Sequence, residues 1–309
     1  MIASLFNKSR PINYLLIGLM LVIFYFLYLT NDLSWTGHYH LVAQKIFLLL
    51  VLVGSMFLVR FVTKRNSLSK DNSYAAFLFG IFLILFPTVL VNTNVILANF
   101  FLLLAMRRLV SMQSMITPKE KIFDASLWIF VASLFHFWCI LFLILVFISI
   151  IFHVSGDYRN WIIPIIALFT VAVFFLLAVL LIDPTLFDFV RNQIQVSFDF
   201  TYFENGFQNV ALAFFSSVAV LFFASQLLSL PNRPLNMQSS YKKIIFTFLL
   251  GVGIYVLSAS KNNSFLMFTF FPLSVMGTNF LESQENNWVK EGVLGGIVLT
   301  ALIIFFGQL

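Results

Sequence analysis

Long apolar stretches alternate with short polar breaks along almost the whole chain. The stretches fall at about 13–30, 42–60, 74–91, 94–106, 162–182, 208–230, 243–259, 263–280 and 291–308, with a longer run at 122–152. A helix needs about 20 apolar residues to cross roughly 30 Å of hydrocarbon, and about 15 to 17 suffice where neighbouring helices bury it. The pattern predicts an all-α, polytopic membrane bundle of about ten or eleven helices. It forms a single domain over 1–309, with an outer loop at about 183–207.

The run at 122–152 decides the count. As one straight helix its 31 residues would extend about 46 Å, well beyond the hydrocarbon core. It contains SLFHFWC, with His136 in an otherwise apolar setting, so a tight hairpin of two short helices turning at that histidine is the alternative. Charge selects between them, because cytoplasmic loops carry an excess of Lys and Arg. With a hairpin, and with Lys8 and Arg10 inside, 15 of 18 basic residues share one side. Lys45, Arg191 and Lys261 remain outside, in loops that also hold Asp32, Asp183, Asp188, Asp199 and Glu204. A single pass would move Arg233, Lys242 and Lys243 outside. The hairpin therefore gives eleven crossings, N-terminus inside and C-terminus outside. Three outward-pointing helical pairs follow, with tips VNTNV, LFHFW and SASKNNS.

Composition excludes the water-soluble classes: 61% of residues are hydrophobic, 10% are charged, and 41 are phenylalanine. The single cysteine, Cys139, excludes an intramolecular disulfide and a cysteine-based metal cluster. The formal charge of +6 lies in short loops between apolar runs, so nucleic acid is not an expected partner. Lys8 and Arg10 before the stretch from Tyr14 to Leu29 resemble the start of a secretory signal. No small-x-small cleavage site follows, and the stretch reads as an uncleaved first helix.

Polar groups at the outer side supply the candidate chemistry. Glycosyl transfer from a lipid-linked donor needs a carboxylate to accept a proton and cations to hold a departing phosphate. Asp32 is the candidate base, Arg191 and Lys261 the cations, with Asn94 and Asn262 as further substrate-binding groups; Asn92, Ser258 and Ser260 lie at the same tips. The plainer reading of Asp32 is a helix-end cap. A second candidate is a metal site of His38, His40 and His136. The spacing of the first two lets them share an ion only on extended chain, and with Asp32 the set suits iron or zinc, as in a His-ligated oxygenase. Proton-coupled transport is disfavoured because no acidic residue falls in the middle of a span. Gly251, Gly253, Gly295 and Gly296 read as close-packing positions. The inner basic segments MRRL at 106–109 and KRN at 64–66 can bind anionic headgroups or a polyprenyl phosphate, or serve topology alone.

The opening MIASLFNKSRPINYLL, with FDASLWIFVASLFHFWCILFLILVFISII and RNWIIPIIALFTV, resembles an uncharacterised family of polytopic inner-membrane proteins of Bacteroidota. Its most specific part is Phe6, Lys8, Ser9, Pro11, Ile12 and Asn13. The resemblance implies a bacterial inner-membrane location and a helical fold, with no activity attached. A weaker architectural likeness is to envelope-glycan polymerases and transferases, which place a catalytic acid in the first outer loop. Membrane lipids and a lipid-linked glycan are the expected partners. The competing reading is a non-catalytic scaffold or transporter subunit, and the sequence names no cofactor.

Overall fold

The computed structural model describes residues 2–198, 206–259 and 261–309; Asp199, Glu204 and Ser260 lie outside the described residues. The described elements are helical, since a backbone in hydrocarbon must satisfy its own hydrogen bonds. A short helix, α1 (Ile2–Phe6), leads to α2 (Pro11–Leu29), α3 (Tyr39–Arg65) and α4 (Tyr74–Leu85). One turn, α5 (Thr88–Val91), precedes α6 (Thr93–Val110), α7 (Pro118–Phe135), α8 (Leu143–His153) and α9 (Arg159–Leu181). Then come α10 (Thr185–Asn192), α11 (Gly206–Ser229), α12 (Leu235–Leu257), α13 (Met267–Ser283) and α14 (Asn287–Gly307). Among the described residues eight helices are long and apolar enough to cross a membrane, and there are two shorter apolar helices, 74–85 and 137–153.

The turn at His136 is real. Helix α7 stops at Phe135, His136 is extended (φ −145°, ψ 106°), and a 3-10 turn over Phe137–Phe142 feeds α8. The returning chain reaches the start of α7 again, where Lys119 pairs with Asp157 at 3.0 Å. With this hairpin the chain passes back and forth between two ends of the bundle. One end gathers the start of α2, the loop 66–73, the α6–α7 connection and the start of α12. The ties are Asn13 to Ser73, Tyr241 to Leu68 and Ser240 to Gln113. Lys45, Arg191 and Lys261 apart, every Lys and Arg belongs to this end.

The most apolar and the most polar of the spans lie at opposite extremes of burial. The span at 159–181 has a mean hydropathy of 3.0 and only 17% of it is buried; the span at 263–283 has 1.4, and 89% is buried. Most membrane helices gain little by leaving lipid, whereas a helix carrying Thr269, Ser274, Thr278 and Asn279 gains by facing protein. The hydroxyls bond back to their own helix, Thr269 to Leu266 O at 2.6 Å and Thr278 to Ser274 O at 2.7 Å. The Asn279 amide donates to Gln226 of α11 at 3.0 Å. Around α13 the phenylalanines interlock: Phe270 sits 5.8 Å from Phe82, 5.8 Å from Phe86 and 5.6 Å from Phe215. Such ring pairs favour edge-to-face and offset geometry at these separations.

Several expectations are corrected. The span at 74–91 is broken, because Phe86 precedes Pro87 and that steric clash takes it out of the helical region (ψ 77°). Helix α4 is then about 18 Å long, too short to cross alone, and all its residues are buried by protein. The segment after Asp183 is not all loop but contains α10. Lys243 is not in a loop but fully buried on α12. A Cβ on Gly251 would meet Phe268 O at 2.9 Å, so that glycine permits a close approach. Gly295 and Gly296 have nothing within 4 Å and serve no packing contact.

Candidate functional site

The end opposite the basic one holds the sequence-derived candidates. Asp32 is exposed, and its carboxylate accepts from the Ser34 amide at 2.9 Å. Hydrogen bonds from the Ser34 hydroxyl and amide hold it below the usual carboxylate range, which makes it a weaker proton acceptor. Arg191 is exposed on α10. Lys261 is buried, and its ammonium donates to the Ser197 carbonyl. Lys261 and the α10 segment therefore lie near one another, while the hydrogen bond of Asp32 stays in its own loop. Asn94 is half-buried, and exposed Asn262 caps the turn at Ser264 (3.2 Å).

The three helical tips meet. Asn92 donates to Ser264 at 2.9 Å, joining the first tip to the third, and His136 joins the second to the third through Ser258 at 2.9 Å. The Ser258 hydroxyl donates to Ile254 O at 2.6 Å, so the imidazole Nε2 carries the proton of the shared bond. Phe265 and Phe268 pack on the ring at 4.6 and 5.5 Å. This answers why a histidine interrupts the apolar run: it is a buried strut. His38 and His40 are exposed neighbours, their rings 5.6 Å apart, at the N-terminal end of α3. Among the described residues no group of three His, Cys, Asp or Glu side chains could hold a metal ion.

At the basic end the two segments KRN and MRRL, 42 positions apart in sequence, converge. The last turn of α3 brings Arg65, the last turn of α6 brings Arg107 and Arg108, and the first turn of α7 brings Lys121, all lining a cavity of about 720 Å³. Lys and Arg at helix C-termini complement the carbonyl ends of the dipole, so three of these cations are locally at ease. Arg65 and Arg107 both stack on Phe61, at 5.4 and 4.8 Å from its centroid. One aromatic ring thus contacts two like charges. Lys121 is fixed by Ser111 O and Ser114 Oγ, each at 2.8 Å. Arg108 is paired with Asp124 at 2.6 Å; among the described residues neither Arg65 nor Arg107 forms an ion pair. Among the described residues no carboxylate lines the cavity.

Strained backbone surrounds this cavity. Ser67, Met115 and Thr117 are in the left-handed region (φ 51°, 56° and 42°), which costs a non-glycine residue about 1 kcal/mol or more. Ser67 ends α3 where glycine is usual: its amide bonds Lys64 O at 3.3 Å and that of Leu68 bonds Thr63 O at 3.0 Å. Lys243 donates to Leu109 O at 2.6 Å and lies 3.1 Å from His153 Nε2. Sequence reasoning misses this pair, because no signal in KKII says which lysine turns inward.

A family profile covers residues 1–309 from end to end. The chain belongs to the family of unknown function DUF6427. Membership agrees with the resemblance to an uncharacterised family and attaches no biochemical role; the multi-pass reading rests on the apolar helices. Comparison with curated proteins and with solved structures finds no match.

Proposed function

We propose that this protein is a multi-pass component of the bacterial inner membrane that binds a phosphate-bearing lipid at its basic, cytoplasmic end. Lipids that carry glycans for envelope assembly belong to that class. The observation that carries the reading is the convergence of Arg65, Arg107, Arg108 and Lys121, from three helices, on one cavity without a carboxylate in its wall. Guanidinium groups recognise phosphate oxygens through paired N–H donors, and crowding several such cations beside an apolar region is relieved when an anion enters. The proposed role is binding, as in a scaffold or transporter subunit. This end is favoured over the opposite one because four cations converge on one cavity, two of them, Arg65 and Arg107, without an ion pair among the described residues, whereas the carboxyl of Asp32 at the other end is engaged by Ser34.

Purification followed by mass spectrometry of retained lipids tests the reading. The wild-type protein should carry phosphate-headed lipid enriched over its share in the source membrane, and an Arg65→Ala, Arg107→Ala double variant should lose that enrichment. Retained lipid that mirrors the bulk membrane in both samples would refute it.

A further inference from the structure

The cationic cavity does not end at its own wall. Arg65, Arg107 and Phe61 also line a second cavity of about 670 Å³, whose remaining wall is Arg60 and Lys64 towards the basic end and Gly54, Phe57 and Leu58 beyond them. On α3, positions 54, 57/58, 61 and 65 share one helical face, and 11 residues at 1.5 Å each set Gly54 about 16 Å from Arg65 along the axis. The face therefore changes from charged to apolar with depth. A membrane lipid has that same order, with its headgroup at the interface and its chain in hydrocarbon. The apolar strip continues past Gly54 as exposed Leu50 and Phe47 (65% and 53% exposed).

We propose that the two cavities are one site for a single-chain lipid ending in a phosphate, with the phosphate between Arg65 and Arg107 and the chain along α3 over Gly54. The proposal rests on the phosphate-lipid reading above and specifies its ligand. Charge argues for a terminal phosphate. A zwitterionic headgroup would bring its own ammonium to a wall of cations with no carboxylate, whereas a phosphate monoester brings up to two negative charges and no positive one. Space argues for the chain. A Cβ on Gly54 would meet only Phe100 Cε2, at 3.5 Å, so this glycine is not demanded by a tight helix crossing. Mid-helix glycine is unfavourable against alanine, and here the missing side chain leaves the groove open.

The test uses purified full-length protein in detergent, with farnesyl phosphate, farnesol and inorganic phosphate as probes in direct binding titrations. Farnesyl phosphate should bind more tightly than either farnesol or inorganic phosphate. Gly54→Leu, which fills the groove, should weaken farnesyl phosphate by about tenfold or more, the effect of withdrawing about two methylenes from apolar contact. The same variant should leave inorganic phosphate unchanged, which shows that the headgroup cavity is intact. Phe57→Ser, at an exposed wall position, should act in the same direction and guards against a folding defect in the first variant. If both variants bind farnesyl phosphate like the wild type while Arg65→Ala with Arg107→Ala abolishes it, the chain lies elsewhere and only this inference falls. If the double arginine variant binds farnesyl phosphate unchanged, the phosphate-lipid reading falls with it.

Discussion

A single amide explains much of the N-terminal residue pattern. Asn13 Nδ2 donates to Leu5 O at 2.9 Å, to Lys8 O at 2.8 Å and to Ser73 Oγ at 3.1 Å, tying α1, the start of α2 and the loop before α4 together. Phe6 stacks on Phe77 at 4.1 Å, Ser9 shares a 2.8 Å bond with the Tyr14 hydroxyl, and Pro11 occupies the first turn of α2, where its missing N–H costs nothing. Phe6, Ser9, Pro11 and Asn13 of that pattern thus have local reasons, whereas Lys8 takes part through its backbone carbonyl and Ile12 is exposed. Asn13→Leu keeps the volume but removes three hydrogen bonds made by a buried side chain, at a cost of about 1 to 3 kcal/mol. Thermal unfolding in detergent should show a midpoint several degrees lower, while Ile12→Ala should leave it in place. Coincident unfolding of Asn13→Leu and wild type would show that the junction contributes no stability.

At the scale of elements, the glycines give a paired prediction. Gly251→Ala forces α12 off the α13 entry, because its Cβ would meet Phe268 O and Thr269 Cγ2, both at 2.9 Å. Overpacking of this kind costs about 1 to 3 kcal/mol. Gly296→Ala meets nothing and should be neutral or slightly stabilising, since alanine is the better helix former. The same unfolding assay separates them; equal midpoints for the two variants would contradict the close approach at Gly251. In sequence the two sites look alike, GVG and GG in apolar runs, because hydropathy reports how a helix partitions and says nothing of which neighbour touches it. For that reason the spans were legible nearly to their ends, whereas the break at Phe86–Pro87, the inward turn of Lys243 and α10 were not. The cationic cavity shows the same limit: KRN and MRRL are visible singly, but their meeting, and the ring of Phe61 between Arg65 and Arg107, depend on how α3 crosses α6.

For the whole molecule, the separation of charge between the two ends is the property from which sidedness follows. The His136 hairpin was legible because two scales agreed on it, an apolar run too long for one helix and a charge distribution that balances only with an extra turn. The Lys119–Asp157 pair shows the chain returning to its starting end. Since translocation leaves Lys and Arg preferentially on the cytoplasmic side, the basic end should face the cytoplasm, and Leu235 and Leu33 should lie on opposite sides of the membrane. Both are exposed, at 86% and 59%, and the native thiol of Cys139 is buried, so single cysteines placed there report against a low background. In intact cells a membrane-impermeant maleimide should label Leu33→Cys and spare Leu235→Cys, which becomes reactive only after lysis. Labelling in the reverse order would turn the bundle over and set the cationic cavity outside, where it could not draw on a cytoplasmic pool of phosphate lipid. Labelling of both sites from outside would place the two ends on one side, and no bundle with the α7–α8 return could satisfy that.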